Sequence, residues 1–296
     1  MTGPAVVVAA APVVELAHAL VADVAGGVGL RALVVKGDGA AHHGLRPPRV
    51  SADVDVLLRG RDDAARFGAE LARRGWRTRP ADADLTAFPR HSDTWFHPGW
   101  SCDLDVHHRF PGLDDDPGAA FDALWARRVV LDRAGRDVAV PGRVDTLLVL
   151  ALHCLRSPWV ERHADEHDRL VEHARALPVA ELVDAARRLR ALAPLRPFVE
   201  EAAGPLDLAW GAPSAEWRLR TRSASPLTRR LVAFRDAGAR ERLHAVRLAL
   251  LPPRATLVKD GLGADLRGVD LLRAYVVRWA RGLRGLPVAW RDARHG

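Results

Sequence analysis

The chain has 296 residues, 48% hydrophobic and 27% charged, which describes a folded protein of one large or two ordinary domains and excludes a disordered one. Its formal net charge of +7 invites a phosphate-bearing partner, yet all but two of its 44 basic residues are arginines scattered among Asp and Glu, so nucleic acid is not favoured. No run of eighteen apolar residues occurs, and the most apolar window, residues 5–27, is broken by Pro12, Glu15, His18 and Asp23 and lacks a basic leader; the sequence reads as cytoplasmic, without a membrane span.

Pro12 opens a helix whose apolar positions Val13, Leu16, Leu20 and Val24 recur at helical spacing, and the glycines at 26, 27 and 29 end it. "RALVVKG" then reads as a short buried strand running into a glycine turn, in which Lys36 is one of only two lysines in the chain. After a loop or short helix stopped by Pro47 and Pro48, a strand is expected at 52–58, followed by a helix over "RDDAARFGAELARRG". Asp62 and Asp63 at its start and Arg73 and Arg74 at its end complement the helix dipole, and Gly75 lies just beyond. From Trp76 to Phe110 the pattern turns to short antiparallel strands, the clearest being "DTWFHP" and "SCDLDVHHRF". A helix near 117–127 and a hairpin over "RRVVLDRAGRDVAVP" follow. Beyond Pro141 only helices are expected: "RVDTLLVLALHCLR", segments near 167–176 and 179–192, a long one at 226–250, and "VDLLRAYVVRWARGL". The two cysteines, Cys102 and Cys154, are too few for a disulfide framework.

Asp53 and Asp55, in "RVSADVDVLLRG", project from one face of the expected strand, where like charges repel and Asp is disfavoured. In "SCDLDVHHRF" alternation sets Asp103, Asp105 and His107 on one face and Cys102, Leu104, Val106 and His108 on the other. Two adjacent strands would gather three carboxylates around one point and relieve their repulsion by binding a hard divalent cation such as Mg²⁺. The competing reading is two acidic strand faces turned to solvent.

In "VVKGDGA", "RVSADVDVLL", "LDVHHRF" and the helix "LLVLALHCLR" the sequence resembles the uncharacterised nucleotidyltransferase family of the polymerase-beta-like superfamily. The resemblance implies an α+β fold: a small domain with a mixed or antiparallel sheet over residues 1–141, then an all-helical domain over 142–296 that closes the cleft and binds the acceptor. It implies that Asp53, Asp55 and Asp105 bind Mg²⁺ or Mn²⁺ and carry catalysis, with Asp105 orienting or deprotonating the attacking hydroxyl. Lys36, Gly37 and Arg49 would hold the phosphates of an NTP co-substrate, and a nucleoside monophosphate would pass to an acceptor hydroxyl with release of pyrophosphate. The acceptor, whether a small molecule, a peptide or a tRNA end, is not identified, nor is the oligomeric state. Asp38 departs from the superfamily pattern, which has a small hydroxyl residue there; a carboxylate would repel a triphosphate unless it caps the following helix.

Two alternatives stay open: a non-catalytic binding or regulatory module on the same fold, and a zinc hydrolase. "HADEH", residues 163–167, fits the H-x-x-E-H signature, though it lies in a charged stretch that reads as a solvated helix face. Cys102, His107, His108, His153 and Cys154 match no usual zinc spacing. His107, on the face of Asp105, would orient that carboxylate or touch the acceptor. P-loop, serine-hydrolase and dinucleotide fingerprints are absent.

Overall fold

A computed structural model describes residues 10–48, 51–79, 90–113, 115–222, 226–236, 238–252, 257 and 267–294. The described chain divides into two compact units, the first holding the residues up to Arg79 and from His91 to Trp217, the second holding Arg90 and the residues from Arg218 onward.

The first unit opens with α1 (Ala10–Gly27), which buries Val13, Ala17, Val21 and Val24. Leu16, expected on the apolar face, is exposed, and Ala17 takes the buried position beside it. β1 (Ala32–Val35), the one-and-a-half-turn α2 (Gly37–His42), β2 (Asp53–Leu58) and α3 (Arg61–Arg73) follow. α3 has Asp62 and Asp63 in its first turn, buries Phe67 and Leu71 on one face, and is followed by Gly75 at φ +87°, a left-handed position that suits glycine. β3 (Arg77–Thr78), β4 (Ser92–Phe96) and β5 (Asp103–His107) complete a five-stranded mixed sheet of order β1-β2-β5-β4-β3. β2 and β5 run parallel at its centre; the other neighbours are antiparallel.

α4 (Pro117–Ala126) has Asp116 as its N-cap, the carboxylate accepting from the Ala119 amide at 2.9 Å, and Pro117 at the first helical position. The hairpin β6 (Val129–Arg133) and β7 (Arg136–Val140) leads into α5 (Arg143–Leu155), α6 (Glu161–Arg175), α7 (Val179–Arg188) and α8 (Leu192–Ala203).

Strand alternation divides the sheet between two apolar clusters. Val34, Val54, Val56, Leu58, Leu104 and Val106 pack with α1, α3 and the hairpin. Leu33, Val35 and Leu57 belong to the other cluster, with Phe110 and the helices α4 to α8, so those helices share a core with the sheet. α5 sits at the centre of it, with Leu147, Leu148, Leu150 and Leu152 at most 1% exposed.

α9 (Ala215–Arg222) carries the chain into the second unit, which contains α10 (Pro226–Asp236), α11 (Ala239–Leu250) and α12 (Gly268–Arg294). The single helix expected over 226–250 is two, parted around Gly238, where the entropic cost of helical glycine favours a break. Within this unit α12 is tied to the end of α11: Trp279 Nε1 donates to the Leu250 carbonyl at 3.0 Å, and the Tyr275 hydroxyl to the Pro252 carbonyl at 3.1 Å. Among the described residues no helix is long and apolar enough to cross a membrane.

Candidate active site

The carboxylates face the helical side of the sheet. Along β2 that face runs from Asp53, exposed, through Asp55, 8% exposed, to Leu57 in the core, so it passes from solvent to apolar interior within five residues. Parallel pairing puts Asp55 level with Asp105, and antiparallel pairing puts Val35, the residue before Lys36, level with Asp55. Three elements therefore deliver three ionic side chains to one margin of the core.

Lys36 is the joint between β1 and α2. Its φ of 66° and ψ of −120° match the first central position of a type II′ turn, where glycine is at ease and a side chain costs about 1–3 kcal/mol. The bend aims the lysine at the carboxylates: Nζ lies 2.5 Å from Asp55 Oδ1, with both side chains nearly buried. The same oxygen accepts from His107 Nε2 at 2.9 Å. Burial works to raise the Asp55 pKa, but the Lys36 ammonium and the hydrogen bond from His107 outweigh it and hold the carboxyl well below the usual range. Asp105 accepts from the Thr94 hydroxyl of the next strand at 2.5 Å, and its other oxygen lies 4.0 Å from His107 Nε2.

Asp55, Asp105 and His107 each offer a ligand atom, all within 4.8 Å of one another, and among the described residues they are the group of at least three such side chains close enough to share an ion. The two carboxylates suit a hard divalent cation. His107 suits it less, because its Nδ1 is buried without a hydrogen-bond partner among the described residues, and a ligating Nε2 would move the ring proton to that isolated atom. The ring is better placed as the donor that orients Asp55, and it packs between His91 and Phe110, with centroids at 5.6 and 5.9 Å.

Asp53 lies outside that cluster and accepts from the Ser51 hydroxyl at 2.7 Å. Asp103 is held by Arg79, whose Nε and Nη2 reach its two oxygens at 2.7 and 3.0 Å. Gly37 begins α2, and a Cβ there would lie 3.7 Å from Arg46 Nη2, so a guanidinium that sequence reading passed over stands beside the turn. Arg49 lies outside the described residues. Asp38 does not cap α2: Lys36 holds the N-cap position without a side-chain cap, and the Asp38 carboxylate is taken bidentately by Arg133 of β6 at 2.9 and 3.0 Å. That pairing neutralises the charge that set this chain apart from the superfamily pattern.

Behind the carboxylates lies a second polar layer from α5 and α6. Arg156 donates to His153 Nδ1 at 3.2 Å and to His91 Nε2 at 3.5 Å, and the His153 and His163 rings meet edge to face at 4.6 Å. Burial first, then the Lys36 ammonium and the Arg156 guanidinium, push the His153 pKa down from 6.5 to about 2. In the unfolded chain this imidazole takes up a proton below about pH 6.5, whereas in the fold it stays neutral, so its contribution is lost progressively as the pH falls. Urea titrations at pH 6.5 and 5.0 are expected to show wild type losing about 2 kcal/mol more than His153→Gln over that interval; equal losses would refute the assignment.

The "HADEH" residues are dispersed among other partners. Glu166 is buried against Arg46 at 3.3 Å, His167 Nε2 meets Glu201 at 2.9 Å, and His163 contacts the Ser157 carbonyl at 3.3 Å. Cys102 and Cys154 are free and buried, and burial raises their thiols to about 11 and about 12, so neither is a ready zinc ligand or nucleophile.

Among solved structures the chain is similar to an antigenic nucleotidyltransferase-like protein from Paracoccidioides brasiliensis, at 13% identity over 63% of this chain and 92% of that one, with a TM-score of 0.40. It is also similar to the antibiotic-resistance factor ANT(2'')-Ia, at 14% identity over 65% and 90% of the two chains and a TM-score of 0.36. A tRNA-processing enzyme in its apo form aligns at 14% identity over 97% and 91%, with a TM-score of 0.29. No curated protein matches the chain. The sequence profile of the uncharacterised nucleotidyltransferases matches residues 24–203, which span the sheet, both carboxylate strands and the helices α5 to α8 behind them, and the chain belongs to that family.

Proposed function

We propose that this protein transfers a nucleoside monophosphate from an NTP to an acceptor hydroxyl, releasing pyrophosphate. The observation that carries the reading is the level pairing of Asp55 with Asp105 on parallel strands at the border of the core, beside a lysine held in a strained turn. A divalent cation, Mg²⁺ or Mn²⁺, held by Asp55 and Asp105 would supply charge neutralisation at the α-phosphate. Asp53, on the same strand face, is assigned to the same machinery from the solvent side. Lys36 and Arg49 would hold the triphosphate oxygens, and Gly37 leaves room for them to approach the backbone. Asp105, steadied by Thr94, accepts the proton of the acceptor hydroxyl as the oxygen to α-phosphorus bond forms and the bond to the β-phosphate oxygen breaks. His107 positions Asp55 through its Nε2 proton. The helices from residue 142 onward are assigned the acceptor.

The test is release of pyrophosphate from each of the four NTPs, with Mg²⁺ or Mn²⁺, in the presence of a fractionated metabolite extract. Acceptor- and metal-dependent release is expected; its absence with every NTP and fraction would favour the non-catalytic reading of the fold.

A further inference from the structure

The Asp55 oxygen nearest the cluster is already engaged twice, by the Lys36 ammonium at 2.5 Å and by His107 Nε2 at 2.9 Å. Asp105 has one oxygen on Thr94, and Asp103 has both on Arg79. The central carboxylate, Asp55, thus has a resident cation supplied by the chain itself. A divalent ion bridging Asp55 and Asp105 would sit within a few ångströms of that ammonium, where like charges with little intervening solvent repel strongly.

We propose that Lys36 is the counter-ion of Asp55 in the nucleotide-free protein, and that the triphosphate must draw its ammonium away before a divalent cation gains both carboxylates, so that cation and nucleotide load together. The inference rests on the nucleotidyltransferase reading above. The Lys36 backbone is pinned between β1 and α2, so the movement falls to its four side-chain dihedrals, swinging the ammonium from Asp55 toward the phosphates without displacing the turn. The phosphate oxygens of the NTP are a partner that can take over this ammonium. Lys36 then has two successive roles with one charge: it keeps adventitious cations off Asp55 while the site is empty, and it contacts the triphosphate once the site is filled.

The test is Mn²⁺ binding to the full-length protein, followed by electron paramagnetic resonance of the free ion, with and without an α,β-methylene NTP analogue. Wild type is expected to bind Mn²⁺ weakly alone and at least about tenfold more tightly with the analogue. Lys36→Met is expected to bind Mn²⁺ alone about tenfold more tightly than wild type and to gain correspondingly less from the analogue. Lys36→Gln, which leaves Asp55 a hydrogen-bond donor, serves if the methionine variant does not fold, with the same direction expected. Unchanged or weaker Mn²⁺ affinity in the folded variant would overturn the proposal while leaving the transfer reaction in place. No Mn²⁺ binding by either protein, even with the analogue, would overturn the metal-dependent reading and this inference together.

Discussion

Asp55→Asn is expected to lower nucleotidyl transfer by about a thousandfold or more, equivalent to ~4 kcal/mol of barrier, while the protein still folds. The amide keeps the shape of the carboxylate but removes the charge that Lys36 and His107 both address. The folded state favours the ionised form of Asp55, so the substitution also costs stability, about 1–3 kcal/mol, as a nearly buried ammonium loses its counter-charge. Asp53→Asn makes the informative comparison. Asp53 is exposed and bonded to Ser51, so its loss should be nearly neutral for stability, and a comparable loss of transfer would place it in the machinery despite its distance from the cluster. Pyrophosphate release and a urea titration on both variants separate the two quantities. Turnover by Asp55→Asn at even a tenth of the wild-type rate would remove the carboxylate from the proposed chemistry.

The largest stability effect is expected one layer further in. Arg46 and Glu166 meet at 3.3 Å with side chains 7% and 8% exposed, on segments 120 residues apart. Arg46→Met would leave the buried Glu166 carboxylate without this counter-charge, at a cost of about 3–5 kcal/mol. The double variant Arg46→Met/Glu166→Leu removes both charges and should recover most of that loss, because a buried ion pair is often worth no more than a well-packed apolar pair. Equilibrium unfolding of wild type, both single variants and the double variant closes the cycle. If Arg46→Met costs under about 1 kcal/mol, the pair is not the tie between the turn after α2 and α6 that its burial indicates.

Local signals made much of the first unit legible. The charges at the ends of α3, the alternation in β5 and the Asp-x-Asp of β2 each follow from a period or a cap that a short window contains. The meeting of Asp55 with Asp105 was also readable, because alternation fixed each face and only the pairing of the two strands had to be supplied. What escaped reading depended on contacts between distant segments. α8 is one such case: Pro197 inside it is a loop signal, overridden by the burial of Leu195, Phe198 and Val199. Arg46, one of many arginines, had no local mark to set it apart, and its role appears only with Glu166 behind it. Asp38 reads in the sequence as an obstacle to phosphate, and only the fold brings Arg133, 95 residues later, to hold it.

The equal height of Asp55 and Asp105 has an evolutionary corollary. Sliding β5 by one residue along β2 would bring Leu104 or Val106 opposite Asp55 and thrust acidic groups among Phe67, Leu71 and the valines beneath the sheet. A one-residue change of register between these strands therefore costs folding before it alters the spacing of the carboxylates. Diversification of what such a protein acts upon is channelled into the connecting loops and the surrounding helices, with the strand pair inherited as a fixed core.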